Sequence, residues 1–305
     1  MTLPNFLIIG AAKSGTTSLM KYVGQHPHVF MCPVKTHFFY LGDDPSLIRD
    51  TPDGWFRRPV IETTRSGYEA RFESAGDASA IGETCDTYLP SERAAKRIHQ
   101  YIPDAKLIAI LREPAGRAFS SYTHMLRDGE ETLSFADGLA QEPKRIAEDR
   151  APIWQYRQRG YYYQQLKIYM DLFGRERVRV YVYDDLCADV DGLLRDIFEF
   201  LGVDPGQKID TSLRYNVSGT PRTGALRTLH HGITQPNRFK SLLRSILPKR
   251  MARTIARHVI QGFQMRALEK PEFPDDVRRA LIEDFREDIL KLQDLLQRDL
   301  SKWLE

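Results

Sequence analysis

No stretch of this 305-residue chain approaches the roughly 18 consecutive apolar residues that a membrane-crossing helix requires. The start also lacks the charged block and apolar block of a secretory leader, running directly into a strand-like segment, so a cytoplasmic location is expected. Cysteine is scarce. Cys32, Cys85 and Cys187 stand far apart and match no metal-ligand spacing, which argues against a disulfide framework or a zinc site and for reduced thiols in a reducing compartment. Cys85 reads as a small buried packing residue. Internal repeats, low-complexity tracts and Gly/Ser/Pro linkers are missing, so residues 1–305 are expected to form one domain. Zinc-finger spacing, aromatic RNA-binding signatures and a helix-turn-helix pattern are missing too, and no nucleic-acid partner is expected.

One further absence is local. Residues 211–268 contain no carboxylate but eleven lysines and arginines, although the whole chain carries a formal charge of only +3. Phe239, Leu242, Leu243, Ile246 and Leu247 recur there at helical spacing. The stretch 211–268 is read as a basic helical segment, either a solvated face or a surface for an anionic acceptor or a membrane. From Asp275 to Trp303, apolar residues near the 3.6-residue period predict a long amphipathic helix that clads the core, with a dimer contact as the alternative.

What the chain does contain begins at its first strand. The apolar run Phe6-Leu7-Ile8-Ile9 flows into Gly10-Ala11-Ala12-Lys13-Ser14-Gly15-Thr16-Thr17-Ser18-Leu19, a strand, a small-residue turn and then a helix. Small residues let backbone close around a phosphate, and the first helical turn offers unpaired N–H groups and a positive dipole end. Lys13 and the hydroxyls of Thr16, Thr17 and Ser18 add a charge and donors. A nucleoside-triphosphate P-loop needs its lysine directly after the second glycine. Here Thr16 follows Gly15, and Lys13 lies inside the loop.

A second strand-like run, Leu107-Ile108-Ala109-Ile110-Leu111, leads into Arg112-Glu113-Pro114-Ala115-Gly116-Arg117-Ala118-Phe119-Ser120. Pro114 suits a first helical turn, Arg112 can grip a phosphate with its planar fork, and Ser120 lies two turns on. Together the two motifs resemble those of sulfotransferases that use 3′-phosphoadenylyl sulfate, PAPS, as donor. The likeness is to bacterial members related to the heparan-sulfate and Golgi-type enzymes. It extends through Glu83-Thr84-Cys85-Asp86-Thr87-Tyr88-Leu89, Gly160-Tyr161-Tyr162, the strand-like Val178 to Leu186, and Asn216-Val217-Ser218-Gly219-Thr220-Pro221-Arg222, which is similar to a loop that closes over the nucleotide.

The resemblance implies an α/β fold, a single P-loop-like domain with a central parallel β-sheet flanked by helices. It implies transfer of a sulfonate from PAPS to a hydroxyl or amine of a carbohydrate, lipid or small natural product, with adenosine 3′,5′-bisphosphate, PAP, as product and no metal required. Ser14, Gly15, Thr16, Thr17 and Ser18 are expected at the 5′-phosphate, Arg112 and Ser120 at the 3′-phosphate, and Ser218, Gly219 and Arg222 over the nucleotide. Lys13 is expected at the phosphate oxygen on which charge develops.

The proton acceptor is where the chain departs from its relatives. Heparan-type members resemble Lys-Glu-x-His-Phe-Phe, their glutamate being the catalytic base, whereas this chain has Lys35-Thr36-His37-Phe38-Phe39. A lysine is protonated at neutral pH unless desolvated, so Lys35 is read as a contact for the sulfonate or an anionic acceptor. His37, with an ordinary pKa near 6.5, becomes the first candidate base. Glu83 and Asp86 stand in reserve, both expected across the acceptor cleft. Two other readings stay open at this point: a P-loop-type kinase, and a nucleotide or membrane-surface binding protein that keeps the fold without catalysis.

Overall fold

The computed structural model describes residues 3–42, 62–212 and 271–305, together with the backbone of 220–221 and 268–269. Five parallel strands form its sheet: β1 (Phe6–Gly10), β2 (Val29–Met31), β3 (Ala80–Thr84), β4 (Lys106–Leu111) and β5 (Val178–Val182), in the order β2-β3-β1-β4-β5. Such strands are buried on both faces, which is why they read as unbroken apolar runs. The period of two nevertheless sorts the side chains. Phe6, Ile8, Ile108 and Ile110 pack on one side, while Leu7, Ile9, Leu107, Ala109 and Leu111 pack on the other.

The first side is covered by α1 (Thr16–Val23) and a later helix, Val190–Leu201, through Leu19, Val23, Leu194 and Ile197. The second carries α2 (Phe38–Leu41), α3 (Arg65–Ala70), α4 (Glu92–Tyr101), α5 (Pro114–Arg127), the helix Tyr162–Phe173 and the C-terminal helix Asp275–Leu296. At Gly82 a β-carbon would stand 2.4 Å from the Phe6 ring, so β3 approaches β1 only because that position has no side chain.

Two boundaries differ from the sequence reading. The strand-like segment from Val178 ends at Val182, and Tyr183–Ala188 is a helix with Asp184 and Asp185 in its first turn, where carboxylates favour the dipole. The C-terminal helix ends at Leu296 instead of running to Trp303. Gln297 takes a left-handed backbone, φ 51°, and Arg298 turns back to clasp Asp185 with two bonds of 2.7 and 2.6 Å. No described helix is long and apolar enough to cross a membrane.

The chain leaves β1 toward one side of the sheet and reaches β4 on the other. Open parallel sheets place ligands at such a switch, beyond the carboxyl ends of the strands. The pairings Ile8↔Ile108 and Gly10↔Ala109 bring the loop after β1 beside the start of α5, and the Ala11 N–H closes the gap by donating to the Ile110 carbonyl at 2.8 Å.

Candidate active site

The loop from Ala11 to Gly15 turns tightly because two of its residues hold positive φ. Gly15 does so at 89°, without the penalty of a β-carbon, and Lys13 at 68°, a conformation that side chains rarely adopt. The result presents the first turn of α1 to a cleft of about 330 Å³. Lys13, Gly15, Thr16, Thr17 and Ser18 line it, and no side chain caps the helix, so its first N–H groups are directed to whatever the cleft holds. Ser14 is placed otherwise than expected. Its side chain is buried beside the Tyr162 hydroxyl, and its N–H donates to the Ala11 carbonyl at 3.3 Å, which withdraws it from a ligand.

Across the cleft stand Arg112, at the end of β4, and Ser120, on α5. Glu113 caps that helix, its carboxylate accepting the Ala115 and Gly116 N–H groups at 2.9 and 2.6 Å, so α5 starts in a fixed place two residues after Arg112. The Arg112 guanidinium lies 5.2 Å from the Tyr183 ring centre and reaches the Lys13 carbonyl.

The same helix supplies two residues that sequence reasoning missed. His124 and Arg127 also line the cleft, four and seven positions after Ser120 and therefore on its face. That period was the signal that could have found them. Arg127 Nη2 donates to His124 Nδ1 at 2.6 Å and its Nε to Asp128 at 2.9 Å. Because arginine can only donate, this fixes His124 with its proton on Nε2. Burial, then the charges of Lys13 and Arg127, lower His124 to about 3. Burial and Arg127 also lower Lys13 to about 8, which leaves it charged at neutral pH but poorly hydrated.

The segment after β2 forms the remaining wall. Lys35, His37 and Asp86 line the cleft, with Lys35 Nζ 2.9 Å from Asp86 Oδ1. Burial would raise the Asp86 carboxyl, but the cations Lys35 and Arg159 outweigh it and hold the group well below the usual carboxylate range. His37 is 2% exposed, adopts φ 55°, and sets Nδ1 at 3.1 Å from Thr87 Oγ1 and 3.4 Å from Cys85 Sγ. Burial first, with Lys35 and Arg159 opposing Asp86, brings it down to about 4, so it is neutral at physiological pH. Cys85 is buried and pushed up to about 12 by that burial and the neighbouring carboxylates, a packed thiol and not a nucleophile.

Glu83 corrects an expectation. It does not face the cleft: at 0% exposure its carboxylate accepts Tyr68 and Tyr88 hydroxyls at 3.0 and 2.7 Å and the Thr36 hydroxyl at 2.8 Å. Burial raises its pKa. Residue 83 pairs with Leu7 in the sheet and packs on the same aromatic side, whereas Asp86 lies beyond the strand and turns to the opening. Glu83 thus holds Thr36, and with it the segment that carries Lys35 and His37. Ser218, Gly219 and Arg222, and the side chains of the basic stretch from 213 to 268, lie outside the described residues.

A model of the sulfotransferase family matches residues 4–206. Among curated proteins, the human bifunctional heparan sulfate N-deacetylase/N-sulfotransferase 3 is 26% identical over 220 residues, 70% of this chain and 24% of that protein. The mouse heparan sulfate glucosamine 3-O-sulfotransferase 6 is 27% identical over 205 residues, 66% of this chain and 52% of that one. The chain thus spans between a quarter and half of these relatives' length. Over its whole length it superposes on a crystal structure of a sulfotransferase from Alicyclobacillus acidocaldarius, with TM-score 0.77, 32% identity and full coverage of both chains. With two thirds of its residues under the family model and a full-length structural likeness at that identity, the chain belongs to the sulfotransferase family.

Proposed function

We propose that the chain transfers a sulfonate from PAPS to a hydroxyl or amine of a carbohydrate acceptor. One observation carries the donor part: Lys13 with the first turn of α1, and Arg112 with Ser120, converge on a single cleft from two strands that are neighbours in the sheet. Two separated anion sites suit a nucleotide with phosphates at both ends of its ribose. The carbohydrate class is supported by the heparan sulfate sulfotransferases that the chain resembles, whose names cover transfer to an amine and to a hydroxyl.

PAPS supplies an activated sulfur whose leaving group is a phosphate oxygen. Lys13 faces the 5′ end of the donor and neutralises the charge that grows on that oxygen, together with the N–H groups of Thr16 and Thr17. Arg112 and Ser120 hold the 3′-phosphate, the group that separates PAPS from other adenine nucleotides. His37, neutral in its pocket, takes the acceptor proton. Thr87, Cys85 and the Thr36–Glu83 anchor fix its ring. The free thiols Cys32, Cys85 and Cys187 suit a reducing, cytoplasmic setting.

Calorimetry and turnover test the reading in sequence. PAP should bind without magnesium and far more tightly than ATP, and incubation with PAPS and a panel of oligosaccharides should yield PAP and a sulfated sugar in equal amounts. A preference for ATP with magnesium would return the chain to the kinase reading. Tight PAP binding with no transfer to any acceptor would leave a nucleotide-binding protein that has lost catalysis.

A further inference from the structure

Lys35 and Asp86 are 51 positions apart in the chain, yet their side chains meet at 2.9 Å within the cleft. Neither is sealed in: they keep 34% and 20% exposure. The two members are held differently. Arg159, itself buried, donates to the Asp86 backbone carbonyl and anchors that residue from behind. Lys35 is a compact ammonium on a flexible four-carbon stem, so it is the member that can swing. Lys13, Lys35, His37 and Asp86 line the one cleft, and the two chain neighbours of Asp86, Cys85 and Thr87, lie 3.4 and 3.1 Å from His37 Nδ1, so the charges of the pair act on both Lys13 and His37.

We propose that this ion pair is a donor-sensing latch, in which Lys35 leaves Asp86 for the donor's sulfonate and the released carboxylate becomes the counter-ion of the His37 imidazolium. Asp86 is thereby a positioning residue for the base, and Lys35 a sensor of the sulfonate. The inference rests on the sulfonate-transfer reading above.

The ammonium keeps one side open to the cleft, so a second anion bound there competes with Asp86 for it. While Lys35 stays on Asp86, protonation of His37 is opposed by Lys35 and by Arg159 from the turn Gln158–Gly160. Lys13 on the phosphate loop, His124 on α5 and the neighbouring Cys85 thiol also interact with Asp86. Departure of Lys35 removes one opposing charge and exposes the favourable one. The acceptor's proton then passes to His37 as its oxygen forms the new bond to sulfur, and the electron pair of the broken sulfur–oxygen bond goes to the phosphate oxygen facing Lys13. With PAP in the cleft no sulfonate is present, Lys35 remains on Asp86, and the base stays weak. The enzyme thus readies its base only for a charged donor.

The test is an NMR titration of the enzyme carrying carbon-13-labelled histidine, with the His37 signal assigned from a His37→Gln variant. Spectra are followed free, with PAP, and with PAPS in the absence of acceptor. The free and PAP-bound enzymes should give a His37 midpoint near 4, and PAPS should raise it by about one pH unit, the scale of one close charge. In Lys35→Met the free enzyme should already show the raised midpoint, and PAP and PAPS should no longer differ. Equal midpoints with PAP and PAPS in the parent enzyme would overturn the latch. So would a PAPS-dependent rise that survives in Lys35→Met, since the sulfonate would then act on His37 directly. PAP affinity measured on the same samples separates the two levels: failure of PAP to bind sinks the donor reading, while normal PAP binding without the midpoint difference sinks the latch alone.

Discussion

Arg112 Nη1 reaches the carbonyl oxygen of Lys13 at 3.4 Å, across the seam between β4 and β1. The contact ties the phosphate loop to the residue that follows β4, and so links the two proposed anion sites of the cleft. It also leaves the outer edge of the guanidinium, lying over the Tyr183 ring, for a ligand.

Removal of that guanidinium should therefore discriminate between nucleotides. Arg112→Ala is expected to weaken PAP by about tenfold to a hundredfold, from the roughly 1.5–3 kcal/mol of a charge-assisted hydrogen bond. Adenosine 5′-phosphate, which has no 3′-phosphate, should lose much less. Calorimetric titration with both ligands checks it, and equal losses would take Arg112 out of the 3′-phosphate site.

The acid side of the pH profile should report His37. Burial lowers it to about 4, below the ordinary 6.5 that its residue type alone suggests. A base works unprotonated, so kcat/KM for the donor should rise with pH through a midpoint near 4 and stay level between about 5 and 7. His37→Ala should cut the single-turnover rate by about 10²–10⁴ with PAP affinity nearly intact. A wild-type transfer rate in that variant would make the histidine structural and move the search to Asp86.

Many of the residues that line the cleft could be read from the sequence because they lie in local units. The phosphate loop and the Arg112–Ser120 motif each occupy one strand-turn-helix unit, and the order of residues along such a unit fixes which of them share an end. Val178–Val182 and the strands before it were legible as apolar runs for the same reason, while the Tyr183 helix was hidden by Tyr and Asp residues that suit a strand end equally well. The Lys35–Asp86 pair was not legible. It depends on β2 and β3, the strands that precede the two segments, lying side by side, which no spacing within either segment encodes. Glu83 was misplaced because the period of two in β3 decides which side it faces, and its three hydroxyl partners come from Thr36, Tyr68 and Tyr88 in separate stretches of chain.

A buried ion pair supports the wall that carries Ile153 into the cleft. Arg145, 9% exposed in its side chain, forks onto Glu131, 2% exposed, at 2.7 and 3.1 Å, and its guanidinium lies 4.4 Å from the centre of the Trp154 ring. The Tyr156 hydroxyl donates to the same carboxylate at 2.9 Å. Arg145→Met would leave the carboxylate without its counter-charge, and loss of one partner from a buried pair costs about 3–5 kcal/mol. Urea unfolding should show that loss. Replacing both residues with apolar side chains of similar volume should recover much of it, and a single-variant cost below about 1 kcal/mol would show the pair to be effectively solvated.

The proposed role of Lys13 at the leaving oxygen predicts an alkaline limb in the profile and offers a test of the α5 face. In that proposed role Lys13 acts as the ammonium, so kcat/KM should fall as pH rises through about 8. Burial is the larger cause of that low value, and Arg127 is the next. Arg127→Met removes a like charge and also frees Asp128, which raises Lys13, from its 2.9 Å contact with the Arg127 Nε. Both changes stabilise the ammonium. The alkaline midpoint should therefore move upward, by about one unit or less because burial persists. Lys13→Arg, whose guanidinium does not titrate in this range, should lose the limb altogether if it retains turnover. A limb that stays near 8 in Arg127→Met but vanishes in Lys13→Arg would keep Lys13 as the titrating group and deny Arg127 any hold on it.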